Sequence, residues 1–252
     1  MNENEEIEEK KEATVIPVEP EVSSFKLIFS LGLAGLISGI IIVGSYLYTL
    51  PIIEKNKAEA QRTAIFKVLE GCTSFVTLHL IDGKLVEDDN FPKVKKEAIT
   101  KEEHEVFAGF DADGKLIGFA IPAAEPGFQD IIGTIFGYDV VNQTIIGFEV
   151  LESKETPGLG DKIFKDADFA LNFKSLATIP EILPVKKGAK KSPNQIETIT
   201  GATISSKAVI RILNNAIKLW QEPINKFDKS LLKPPTTKGN TENSADKISE
   251  NE

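Results

Sequence analysis

The chain has 252 residues, 41% of them hydrophobic and 27% charged, with a formal net charge of −9. That composition excludes wholesale disorder, and the length suits one ordinary domain with extensions. A single cysteine, Cys72, and two histidines, His79 and His104, exclude an internal disulfide framework and an iron–sulfur cluster, and leave zinc or haem almost no ligands.

The acidity belongs to the ends. Residues 1–23 carry eight carboxylates against Lys10 and Lys11, and 231–252 carry four against three lysines, leaving −2 for everything between. Both ends read as disordered tails, and this balance argues against a nucleic-acid partner. From Leu27 to Leu50 run twenty-four residues without a charge, a helix of ~36 Å at the usual rise, longer than a ~30 Å hydrocarbon core. Lys26 precedes the run, and Tyr46 and Tyr48 sit near its far end. The long acidic region before it does not suit a cleaved signal peptide, so residues 24–50 read as a retained anchor in lipid. Gly35 and Gly39 form a G-x-x-x-G pair, which reads either as a helix–helix contact or as the ordinary glycine content of membrane helices. Charge does not orient the span: Lys10, Lys11 and Lys26 precede it, and Lys55, Lys57 and Arg62 follow.

The domain is expected over 51–230. Glu54–Glu70 reads as an amphipathic linker helix stopped by Gly71. Strand-like runs follow at Val106–Phe110 and Lys115–Ile121, around the turn Asp111–Gly114, and at Ile131–Tyr138 and Thr144–Leu151. Asp111-Ala112-Asp113-Gly114 opens like a calcium loop but lacks the remaining ligands, so a hairpin turn is the better reading. A second helix begins near Thr203, with Ala208, Val209, Ile212, Leu213, Ala216, Ile217 and Trp220 on one face. The class is α+β: one N-terminal transmembrane helix, then one domain.

Two loops stand out. In Glu155-Thr156-Pro157-Gly158-Leu159-Gly160-Asp161, proline fixes one φ and glycines let a ligand approach the backbone; a Pro-Gly turn explains the same residues. Thr200-Gly201-Ala202-Thr203-Ile204-Ser205-Ser206 opens the second helix, where unpaired amides and the helix dipole favour a phosphate; helix capping by Thr or Ser is the plainer reading. Neither a Walker loop nor a G-x-G-x-x-G nicotinamide fingerprint is present.

Taken together and in this order, E-T-P-G-L-G-D and T-G-A-T-I-S-S resemble the covalent-flavin domain of the G subunit of the Rnf complex and the C subunit of sodium-translocating NADH:quinone reductase, over residues 27–222. The resemblance implies one FMN joined through its phosphate to the Thr203 hydroxyl by a separate flavin transferase. It places Glu155, Thr156, Gly158, Leu159 and Gly160 beside the flavin, with Thr200, Gly201 and Ala202 in the attachment motif, and implies no metal. Residues 1–26 would lie in the cytoplasm and the domain outside the membrane. The implied role is a redox subunit that relays electrons among other membrane subunits of an Rnf-type complex coupling ferredoxin/NAD electron transfer to ion translocation, without oxidising NADH itself.

The continuation E-T-P-G-L-G-D-K-I favours the Rnf homologue over the quinone-reductase one. A stand-alone extracytoplasmic flavoprotein and a cofactor-free anchored scaffold are the alternatives. The chain departs from the family pattern at Glu197, where Asp is usual three positions before the motif's first Ser or Thr, and at Ser153, where His is frequent. Lys186, Lys187, Lys190 and Lys191 form a basic loop before the second motif, read as a solvated linker or a dock for an acidic partner or for the flavin transferase.

Overall fold

A computed structural model describes residues 23–87 and 104–235; of the tails expected over 1–23 and 231–252, residues 1–22 and 236–252 lie outside the described residues. The chain divides into two compact units, Met1–Lys55 and Asn56–Glu252.

The first unit contributes the apolar part of helix α1 (Ser24–Val68), which contains a window of mean hydropathy 2.4 with none of it buried. Anchor and linker, expected as separate helices, form one uninterrupted helix that passes through Pro51. Proline has no N–H, so the Leu47 carbonyl loses its helical donor. One turn earlier the Thr49 hydroxyl donates back to the carbonyls of Ser45 and Tyr46 at 2.9 and 3.1 Å.

The second unit is built on a seven-stranded antiparallel sheet. Its strands are β1 (Ser74–Ile81), β2 (Lys84–Glu87), β3 (Glu105–Phe110), β4 (Leu116–Pro126), β5 (Ile131–Asp139), β6 (Thr144–Glu152) and β7 (Leu176–Ala177), in spatial order β2-β1-β3-β4-β5-β6-β7. The four strands expected from the sequence are β3 to β6. The β1–β2 hairpin was not foreseen, although Asp82-Gly83 at its turn, with φ of +48° and +75°, is a common hairpin signal. Between β6 and β7 lie two short helices, α2 (Lys162–Lys165) and α3 (Ala167–Leu171). A parallel pair, β8 (Leu183–Val185) and β9 (Gln195–Glu197), precedes helix α4 (Thr203–Lys226).

Strand alternation gives the sheet two apolar faces. Ala64, Ile65, Val68 and Leu69, at the end of α1 and just beyond it, pack on Phe107, Ala120 and Ile135. Helix α4 covers the opposite face, burying Val209, Ile212, Leu213, Ala216, Ile217 and Trp220 against Phe119, Ile121, Ile132 and Phe136. The expected apolar face of α4 is thus the one buried. Gly137 and Gly147 lie beneath the Val68 carbonyl, where any Cβ would collide with it. Leu232, assigned by sequence to the C-terminal tail, is buried in the α4 core, so ordered packing continues past residue 230. The Asp111–Gly114 segment is a hairpin turn, its Asp111 carboxylate accepting from the amides of Asp113 and Lys115. Cys72 is half-buried, its thiol donating to the Ser74 carbonyl, and burial pushes its pKa up.

Candidate functional site

Helix α4 starts abruptly. Ala202 is its N-cap and supplies no side-chain oxygen to the first turn. The capping reading of Thr203 therefore fails: Thr203 is the first helical residue, exposed, and no group among the described residues hydrogen-bonds its hydroxyl. The first-turn amides of a helix have no partners within it, and at this end no side chain takes their place.

What holds the turn is Ser206. Its fully buried Oγ accepts from the Ile199 amide at 3.1 Å and donates to the Ala202 carbonyl at 2.9 Å. The Ala202 amide closes the turn on the Ile199 carbonyl at 3.0 Å. Gly201, at φ +86°, occupies the left-handed region that favours glycine. Thr200 is exposed, as is Gly201.

The loop at 155–161 lies against this turn. A Cβ on Gly201 would stand 3.7 Å from Leu159 Cδ2, an ordinary contact. Within the loop the amides of Leu159 and Asp161 donate to the Thr156 carbonyl at 3.1 and 3.4 Å, and Gly158 adopts φ +77°. Leu159 is half-exposed, as is Ile204 beside Thr203. Asp161 is buried, and its Oδ2 accepts from the Lys165 ammonium at 2.6 Å. That hydrogen bond holds the Asp161 carboxyl below its usual pKa.

Glu155 points inward. It is 5% exposed. Its Oε1 accepts from the amides of Phe128 and Gln129 at 2.7 and 3.1 Å, and its Oε2 from the Ser205 hydroxyl at 2.6 Å. Gly127 and Gly160 flank the carboxylate so closely that a Cβ on either would strike it. The hairpin tip carrying Phe128 is tied to α4 a second time, through Arg211 and Asn215 to Glu125 at 2.7 and 2.6 Å, and through Arg211 to the Pro126 carbonyl.

The structure thus brings Thr156, Gly158, Leu159 and Gly160 together with Thr200, Gly201, Ala202 and Thr203, while the Glu155 carboxylate is engaged beneath them. The hairpin tip and the inward roles of Ser205 and Ser206 were missed. Both serines stand in the quoted motif, but no local pattern tells a cap from a buried tie.

A cavity of about 200 Å³ is lined among others by Lys162, Asp166, Lys187, Glu197 and Thr200. Glu197 Oε1 accepts from the Gly188 amide at 3.0 Å, fixing the basic loop's turn beside the motif. Lys187 pairs with Asp168 at 2.9 Å, while Lys186, Lys190 and Lys191 are exposed. His104 is exposed, edge-on to Trp220. Among the described residues no group of three or more His, Cys, Asp or Glu could hold a metal.

Does this donor set suit FMN? A free hydroxyl at a helix start with uncapped amides suits a phosphate ester. Exposed Leu159 and Ile204 beside open glycine backbone suit the edge of a flat, largely apolar ring. The residues fit.

Residues 127–218 match the FMN-binding domain family. That span begins at Gly127 of the hairpin tip and includes Glu155, Thr203, Ser205 and Arg211. The chain is 28% identical over 199 residues to the G subunit of the ion-translocating oxidoreductase complex of Methanosarcina acetivorans, covering 76% of this chain and 92% of that one. It is 31% identical over 121 residues to the G subunit of the Na(+)-translocating ferredoxin:NAD(+) oxidoreductase complex of Acetobacterium woodii, covering 46% and 55%. The crystal structure of the C subunit of the Na(+)-translocating NADH-quinone reductase from Parabacteroides distasonis superposes with a TM-score of 0.53 at 22% identity, covering 69% of this chain and 96% of that one. The resemblance read from the two motifs and the α+β class are both borne out.

Proposed function

We propose that this chain is a membrane-anchored electron-carrying subunit of an Rnf-type ion-translocating complex, with one FMN esterified through its phosphate to Thr203. The observation that carries the reading is the Thr203 hydroxyl: exposed, unpartnered among the described residues, and set at an uncapped helix start against Leu159. The match of residues 127–218 to the FMN-binding family and the similarity to G subunits of ion-translocating complexes support it.

The chain's own groups divide the work. Thr203 Oγ would be the attachment atom, giving up its proton to hold the FMN phosphate as a Thr–O–P ester. Nothing among the described neighbours takes that proton from Thr203, so a separate flavin transferase supplies the base. First-turn amides of α4 would face the phosphate charge, and exposed Lys207 stands one helical turn on, on the same face. Thr156, Gly158, Leu159 and Gly160 form the wall beside the attachment point, and the exposed side chains of Leu159 and Ile204 add apolar surface next to it. Bound FMN supplies one- and two-electron transfer, which no side chain can.

Attachment matters because a carrier on the outer face could not replace lost FMN from the cytoplasm. The family resemblance puts residues 1–26 on the cytoplasmic side and the 51–230 domain outside. The partners are other membrane subunits of the complex, with lipid around Leu27–Leu50. Replacing Thr203 by Val and weighing the full chain tests the reading. The FMN increment is expected in wild type and absent from a folded Val variant. A folded wild type from its native membrane without the increment favours the cofactor-free scaffold.

A further inference from the structure

Three chain segments far apart in sequence meet on the Glu155 carboxylate. They are the β4–β5 hairpin tip through the amides of Phe128 and Gln129, the 155–161 loop that carries Glu155, and the first turn of α4 through Ser205. No Lys or Arg among the described residues pairs with this buried carboxylate, and Lys154 next to it turns outward to Asp130. Its charge is held by three donors alone. Gly127 and Gly160 are the two positions whose missing Cβ makes room for it.

We propose that Glu155 is a positioning residue: it does not contact the flavin but locks the 156–160 wall and the hairpin tip onto the helix turn that presents Thr203. This rests on the reading that Thr203 carries FMN. A phosphate ester fixes the cofactor at one end only, and a ribityl chain of freely rotating bonds separates that end from the ring. Covalent attachment therefore leaves the ring's orientation to the surrounding wall, whose precision depends on the shell that supports it. Glu155 is where that support converges. Ser205, two residues from Thr203, is the link between the attachment turn and the wall.

Substitutions separate positioning from contact. Glu155→Gln keeps an acceptor oxygen for the two amides and offers an N–H to the Ser205 hydroxyl, so the junction survives without its charge. Glu155→Ala removes every acceptor and orphans two amides. Ser205→Ala cuts only the carboxylate's own link to the first turn of α4 and leaves the Arg211 and Asn215 ties of the hairpin tip in place.

The test uses the full chain, purified from membranes of a host that makes a flavin transferase. Intact mass reads attachment, Trp220 emission reads folding, and visible circular dichroism with flavin fluorescence anisotropy reads ring order. Isoalloxazine is flat, so its visible dichroism comes from a fixed chiral surrounding. The expected result is full dichroism and anisotropy in wild type and Glu155→Gln, with loss of both in folded, FMN-bearing Glu155→Ala and Ser205→Ala. A folded Glu155→Ala chain with less attached FMN than Glu155→Gln supports the same assignment. Unchanged signals in Glu155→Ala, or a Gln variant as disordered as the Ala variant, overturn it; the latter makes the charge a direct contact. If Glu155→Ala does not fold, Ser205→Ala decides. A wild-type chain without the FMN increment refutes the underlying reading instead, and is recognised before any variant is compared.

Discussion

Ser206→Ala is the sharpest probe of the attachment turn. The Ser206 hydroxyl is fully buried, accepting from the Ile199 amide at 3.1 Å and donating to the Ala202 carbonyl at 2.9 Å. The Ala202 carbonyl also accepts the Ser206 amide at 2.9 Å and so stays satisfied in the variant. The Ile199 amide loses its acceptor, and an orphaned buried donor costs about 1–3 kcal/mol. For a domain of this size each kcal/mol lowers Tm by roughly 2–4 °C. Thr203→Val, three positions earlier, removes an exposed hydroxyl with no partner among the described residues and, with both chains produced free of flavin, should stay within about 0.5 kcal/mol of wild type. Thermal unfolding followed by amide circular dichroism and by Trp220, the single tryptophan, 2% exposed on α4, reports both variants. Equal Tm values for Ser206→Ala and wild type, or a Thr203→Val loss as large as that of Ser206→Ala, would refute this account of what holds the turn.

Further outcomes follow from packing and charge. Gly147→Ala places a Cβ 2.5 Å from the Val68 carbonyl oxygen and 2.7 Å from Val68 Cα, so α1 must lift off the sheet. A cost of about 1–3 kcal/mol is expected from overpacking, read as a lower Tm; a neutral substitution contradicts the packing of α1 on β6. The Lys165 hydrogen bond and charge hold Asp161 below its usual 3.8. A depressed carboxyl stabilises the fold above its unfolded value and loses that contribution as pH falls through the folded one. The Tm difference between wild type and Lys165→Gln should therefore be present at neutral pH and close below 3.8; a gap that widens in acid contradicts the pairing.

The sequence exposed what is periodic or local. Strands β3 to β6 alternate over their lengths, and α4 repeats its apolar residues at helical spacing, so both were legible. The β1–β2 hairpin has its signal too, in Asp82-Gly83 between its two short strands. The continuity of α1 was not legible, because a proline after an apolar run reads as a stop, and only the carbonyls of the preceding turn decide otherwise. Leu232 looked like tail because its neighbours are polar, yet it lies on the core beside α4.

In the site, Thr156 to Gly160 and Thr200 to Thr203 were legible as two motifs, and the structure brings them side by side. The partners of Glu155 were not. Phe128 and Gln129 lie 27 and 26 residues before it, and Ser205 lies 50 after. A carboxylate facing inward onto amides looks no different in sequence from one facing a ligand. The same holds for Ser206, whose buried tie within TISS resembles an ordinary capping residue.

The most direct test is the intact mass of the full chain taken from its native membrane, followed by fragmentation of the peptide containing Thr203. One FMN-sized increment localised to Thr203 is the predicted result. An unmodified Thr203 in folded protein from that membrane would contradict the account at its centre.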